Sequence, residues 1–92
     1  MDYTLSETAQ KLLVALLKKD GITIRELIDL AEVNNTPALR ALEELQKYKL
    51  IREERENTFP RRRLVYLTDD GKYVAIRIKE IMEVLVKNHP PL

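Results

Sequence analysis

The stretch Thr23–Ile51, TIRELIDLAEVNNTPALRALEELQKYKLI, decides the fold. Thr23 is followed three residues later by Glu26. That spacing makes a capping box, in which each side chain satisfies a free backbone N–H of the other. Ile22, just before it, suits a hydrophobic staple or one residue of a short strand. Leu27, Ile28 and Ala31 then fall on one face of a short helix expected at about 24–31. Thr36 is a good N-cap for a second helix. Pro37 would sit at its first position, where the missing N–H costs nothing. Ala38, Ala41, Leu42 and Leu45 line one side of this helix, with Leu39 at the edge. Thr36, Arg40, Glu43, Glu44 and Lys47 line the other, to about Tyr48. Only Glu32 to Asn35 link the two helices, so the segment at about 23–48 reads as a helix-turn-helix.

Upstream, Leu5, Leu12, Leu13, Leu16 and Leu17 recur at helical spacing and predict an amphipathic helix over 5–19. Thr4 with Glu7 fits a capping box, Ser6 is the alternative cap, and Asp20-Gly21 ends the helix. Downstream, LIREER and RRLVYLT flank the polar turn ENTFPR, the pattern of a β-hairpin at about 50–67. Strand alternation would put Arg61, Arg63 and Val65 on one face and Arg62, Leu64 and Tyr66 on the other. Thr68 or Asp69 caps a last helix, about 69–88, that stops before Pro90-Pro91. Its residues Val74, Ala75, Ile78, Ile81, Met82, Leu85 and Val86 form an apolar stripe roughly 140° wide. The expected fold class is mainly α with a small β-hairpin (α+β), in a single domain over 1–92.

A chain of 92 residues buries only about 60–65% of the surface its unfolded form exposes, so an added buried face would help it. The apolar stripe exceeds what so small a core needs. It predicts a homodimer through the last helix, with or without the first, using Val74, Ile78, Ile81, Met82 and Leu85. With no cysteine, disulfides and thiolate metal sites are excluded. His89 is the only histidine and Ser6 the only serine, so neither a metal site nor a nucleophilic active site is expected. No apolar run reaches the roughly 18 residues of a membrane span, and the first residues lack the build of a signal peptide. A cytoplasmic protein without cofactor is expected. Charged residues make up 34% of the chain, a composition compatible with a thermophilic source.

Formal charge is +1, from 16 Lys and Arg against 15 Asp and Glu. Only residues 51–67 carry a clear positive excess, five basic against three acidic. The excess gathers at Arg61, Arg62 and Arg63. These could pair with Glu53, Glu54 and Glu56 across the hairpin or reach outward to a polyanion.

The order helix, short strand, helix, helix, hairpin, helix resembles the winged helix-turn-helix family, in particular small archaeal and bacterial MarR-like and PadR-like regulators. The likeness covers roughly residues 5–88. It is carried by the opening stretch and by RRRLVYLTDDG, similar to the family's wing strand and the Leu-Thr-x-x-Gly entry to its last helix. The resemblance implies a homodimeric double-stranded DNA-binding protein and transcriptional regulator. By position, Asn34, Asn35, Thr36, Pro37 and Arg40 would face the major groove, with Lys47 further out. Arg61, Arg62 and Arg63 would belong to a wing on phosphates or the minor groove, and Thr23 and Arg25 would lie by the DNA backbone. Many relatives have Gly where this chain has Lys49, so a differently shaped turn is expected there. Glu43 and Glu44 would repel phosphates, so the N-terminal turns of the helix are expected to read DNA while its C-terminal half turns away. The alternative is a winged helix used only for protein–protein interaction, which the near-neutral charge favours. No polar cluster in the apolar stripe points to a small-molecule effector.

Overall fold

A computed structural model of the chain describes residues 4–89. Its elements run α1 (Glu7–Lys18), β1 (Ile22–Thr23), α2 (Ile24–Ala31), α3 (Asn35–Lys47), β2 (Ile51–Arg55), β3 (Arg63–Leu67) and α4 (Asp69–Lys87). The strands form one antiparallel sheet in the order β1-β3-β2, with Ile22 opposite Val65 and Glu53 opposite Val65 on the other side. Leu12, Leu13, Leu16, Leu27, Leu45 and Val65 are the largest fully buried side chains. Each such burial contributes about 1.5–3 kcal/mol before conformational entropy is set against it. Thus α1 is the central post, packed by α2, α3, α4 and the sheet.

The caps show why the helices start where they do. Thr23 and Glu26 form the reciprocal box expected of them: Glu26 N–H donates to Thr23 Oγ1 at 3.1 Å, and Thr23 N–H to Glu26 Oε1 at 3.2 Å. At α1 the cap is Ser6, whose hydroxyl accepts from Ala9 N–H at 3.2 Å, and Thr4 lies before the helix. At α3 the expectation fails by two residues. Asn34 is the N-cap, without a side-chain hydrogen bond, and Thr36 and Pro37 are already inside the first turn. Proline is tolerated there because the N–H groups of the whole first turn lack intrahelical acceptors.

Two corners lock the sheet to the helices. At the first, Gly21 takes φ +70° and its N–H donates to Val65 O at 2.9 Å, while Asp20 Oδ1 accepts from Leu67 N–H at 2.9 Å. The second joins α3, the hairpin and α4. Lys49 holds φ 58°, so the left-handed turn that glycine usually serves is kept and the expected reshaping does not occur. Thr68 spans this junction. Its N–H donates to Leu50 O at 3.1 Å and its hydroxyl to Lys49 O at 2.7 Å, while the same oxygen accepts from Gly71 N–H at 3.0 Å. Gly71 is buried against Leu50.

The N-terminal half of α4 packs on α1 through Ala75, with Val74 and Ile78 partly buried. Beyond it the helix leaves the body, and Ile81, Val84, Leu85 and Val86 are more than half exposed. The molecule is accordingly long, 50 × 32 × 24 Å. No helix of the described residues is long and apolar enough to cross a membrane.

Candidate nucleic-acid interface

The surface formed by α2, α3 and the hairpin holds most of the residues singled out from the sequence. Asn34, Asn35, Thr36, Pro37, Arg40 and Lys47 are all exposed along α3, and Arg25 is exposed on α2. Arg25 and Asn35 line one cleft of about 590 Å³ between the two helices, together with Ile24, Ile28, Asp29 and Leu39. Thr36, Pro37 and Arg40 line a second, of about 290 Å³, beside Ser6, Thr8 and Glu44. Thr23 is half-buried, and its hydroxyl is spent on the capping box.

The three arginines do not behave as a run. Arg61 lies in the loop at φ 56°, Arg62 closes the loop, and only Arg63 belongs to a strand. The expected alternation therefore starts at Arg63, because the loop reaches one residue past the ENTFPR turn. Arg62 Nε donates to Glu56 Oε1 at 2.7 Å and its Nη2 to Oε2 at 3.3 Å. That hydrogen bond, with the charge behind it, holds the Glu56 carboxyl below the usual carboxylate range and raises the Arg62 guanidinium. A weaker field from Arg62 also reaches Glu26, whose carboxyl is lowered chiefly by its hydrogen bonds within the capping box.

Several acids of this surface have partners within the chain. Glu44 accepts from both the N–H and the hydroxyl of Ser6, at 3.1 and 3.0 Å, which draws it to the N-terminus of α1 and its favourable dipole. Glu53 accepts from Gln46 at 2.7 Å, Glu54 pairs with Arg52, and Glu56 pairs with Arg62. Arg52 also stacks over the Tyr66 ring at 4.5 Å. Among the described residues, Arg25, Arg40, Lys47, Arg61 and Arg63 take part in no ion pair. Glu43 remains exposed on α3 and Asp29 on α2.

Two apolar residues of this surface stand out: Leu39, which the sequence places at the edge of the buried face, and Phe59, which went unremarked. Leu39 is 52% exposed on α3, and Phe59 projects from the hairpin loop. A phenylalanine inside a polar turn was the available signal for the second.

Of the stripe on α4, Val74 and Ile78 serve the chain's own core and Met82 is half-buried, whereas Ile81 and Leu85 are free of it. With Val84 and Glu80 they line a shallow, mostly apolar groove.

A helix-turn-helix followed by a two-stranded hairpin and a closing helix defines a winged helix. Solved structures place it more narrowly. A MarR-family transcriptional regulator from Silicibacter pomeroyi is 32% identical, with a TM-score of 0.79 over 95% of this chain and 61% of that one. The zinc-responsive MarR family member ZitR from Lactococcus lactis is 21% identical, with a TM-score of 0.82 over 97% of this chain and 61% of that one. The PcaV transcriptional regulator from Streptomyces coelicolor is 21% identical, with a TM-score of 0.77 over 89% of this chain and 60% of that one. The chain has the MarR-like winged-helix fold. It spans about three fifths of the length of these relatives. No protein-family model matches it, and no curated protein does.

Proposed function

We propose that the chain binds double-stranded DNA as a homodimer and regulates transcription in the cytoplasm. The observation that carries this is the division of charge on the winged-helix surface. Its carboxylates at Glu44, Glu53, Glu54 and Glu56 are directed to partners within the chain, while Arg25, Arg40, Lys47, Arg61 and Arg63 are left to the solvent. Unpaired cations on a presented helix and its wing suit phosphates, and association is then driven by counterion release. The first turns of α3 would enter the major groove with Asn34, Asn35, Thr36, Pro37 and Arg40, and Lys47 would meet the backbone further along. Asn35 and Arg40 have the donors that read purine edges. Thr23 and Arg25 would flank the backbone at the start of α2. On the wing, Arg61 and Arg63 would hold phosphates directly, and Arg62 would share its charge between Glu56 and the DNA.

Pairing of two copies along α4 would cover Ile81, Val84 and Leu85, with Met82 at the edge and Val74 and Ile78 backing the seam. A two-fold dimer would present its two α3 helices to half-sites about one helical turn apart. Occlusion of a promoter is the simplest route to regulation. The half-exposed Leu39 supports the other reading, a winged helix that binds a protein.

Fluorescence anisotropy on mixed-sequence duplex DNA across a salt series separates the two. DNA binding requires log K to fall with log salt by about 0.9 per phosphate neutralised. Changing Arg61 and Arg63 together to Ala should make that slope shallower by about 1.8, and Arg62→Ala should change it by less. An absence of binding at low salt would rule out the DNA reading.

A further inference from the structure

Phe59 is the chain's only phenylalanine and, among the described residues, the most exposed large hydrophobic side chain, at 93% against 76% for Val86, the next. It gains nothing from the core, yet the loop around it is built. Arg61 N–H donates to Thr58 O at 2.8 Å and closes a turn with Phe59 and Pro60 at its corners. Below that turn, Glu56 N–H donates to Arg62 O at 3.0 Å. The N–H of Arg62 and its Nε return to Glu56 Oε1 at 3.2 and 2.7 Å. The neck of the loop is therefore clamped from both sides, and the ring is held outward from a fixed base.

The surroundings of the ring select its partner. Arg61 and Arg63 follow it closely in the chain and take part in no ion pair among the described residues, and Asn57 and Thr58, just before it, are polar. A lipid surface would call for several apolar side chains at such a tip, and an apolar protein groove does not call for two uncompensated guanidinium groups. DNA satisfies both features at once, with phosphates for the arginines and a base step for the ring.

We propose that Phe59 is a wedge. It enters the minor groove next to the site of α3 and partly unstacks one base step, while Arg61 and Arg63 hold the phosphates on either side. This rests on the DNA-binding reading above. Because opening a step is easiest at pyrimidine–purine steps such as TA and CA, the wedge adds a preference at a position that α3 does not touch.

The chain has no tryptophan, so Phe59→Trp introduces a single fluorescent indole at the tip. Its emission is followed on titration with duplex DNA, beside anisotropy of wild type, Phe59→Ala and Phe59→Leu on the same duplex. A duplex labelled at both ends reports bending by energy transfer. Expected are quenching of the indole and its protection from acrylamide on binding, and about tenfold weaker binding with loss of bending for Phe59→Ala. Phe59→Leu should keep most of both. If wild type binds but the indole stays accessible and Phe59→Ala binds equally well without change in bending, the wedge is refuted and the DNA reading stands. If wild type shows no anisotropy change at low salt, the DNA reading itself falls and the wedge with it.

Discussion

A Cβ placed on Gly71 would stand 1.8 Å from the carbonyl oxygen of Leu50. Leu50 immediately precedes β2 and Gly71 lies in the first turn of α4, so the two elements touch backbone to backbone. Gly71→Ala should destabilise the fold by roughly 2–4 kcal/mol, although alanine is the better helix former by about 1 kcal/mol. Urea unfolding followed by circular dichroism measures it. A loss under 1 kcal/mol would mean that the contact relaxes freely.

Lys49 presents the opposite case, a residue with a Cβ where glycine would fit. Its φ of 58° costs about 1–2 kcal/mol, and glycine would return part of that in unfolded-state entropy. Lys49→Gly should therefore stabilise the chain by about 0.5–1 kcal/mol, while Lys49→Ala should not, since alanine keeps the strain. A matched pair of urea curves distinguishes them, and equal midpoints for the two variants would refute the assignment of strain to this residue.

Acid should loosen the wing. The Arg62 guanidinium hydrogen-bonds to the Glu56 carboxylate and holds it below its ordinary range, so the folded-state pKa is lower than the unfolded one. The resulting stabilisation is complete above the unfolded value, about 4.3, and fades as pH falls through the folded value. Glu26, lowered within its capping box, acts in the same direction. Hydrogen exchange of the hairpin amides should quicken relative to those of α1 below that range, after correction for the intrinsic pH dependence. In Glu56→Gln this differential should shrink, and an undiminished acid response would point to other groups.

Ile81 and Leu85 are 60% and 64% exposed, and nothing in the described chain covers them. Under the proposed pairing along α4, wild type should sediment as a dimer of the 10.8 kDa chain, and the double change Ile81→Glu with Leu85→Glu as a monomer. Binding to a palindromic duplex should then weaken about a hundredfold or more, because the second half-site no longer binds within the same complex. A wild type that sediments as a monomer at all concentrations would refute the pairing.

Much of this was legible before the structure, and the failures have specific causes. The Thr23–Glu26 box was readable because both partners and their spacing are local. The start of α3 was not, because Thr36 and Pro37 are as acceptable inside a first turn as at its edge, and Asn34 caps with backbone alone. Ser6 had appeared only as an alternative cap. What fixes it is a contact with Glu44, 38 residues away, which no local pattern reveals. The same holds for the arginines. Their clustering was evident, but their division into one clamp and two free cations depends on where Glu56 stands across the loop. The stripe on α4 was read correctly as apolar, whereas its split into a core-facing and an uncovered half follows from where α1 ends.

The Thr68 junction has a mechanical consequence. One side chain grips the end of α3 through Lys49 and starts α4 through Gly71, and Gly71 leaves no gap against Leu50. The end of α3 and the root of α4 are thus joined as one solid piece, like the bit and shaft of a key. If two such keys are joined at their shafts, the spacing of the bits is set by the angle at which the shafts cross. Under the proposed DNA binding, a change at Ile81 or Leu85 that merely tilts that crossing would then alter the preferred distance between half-sites while leaving every residue of α3 in place.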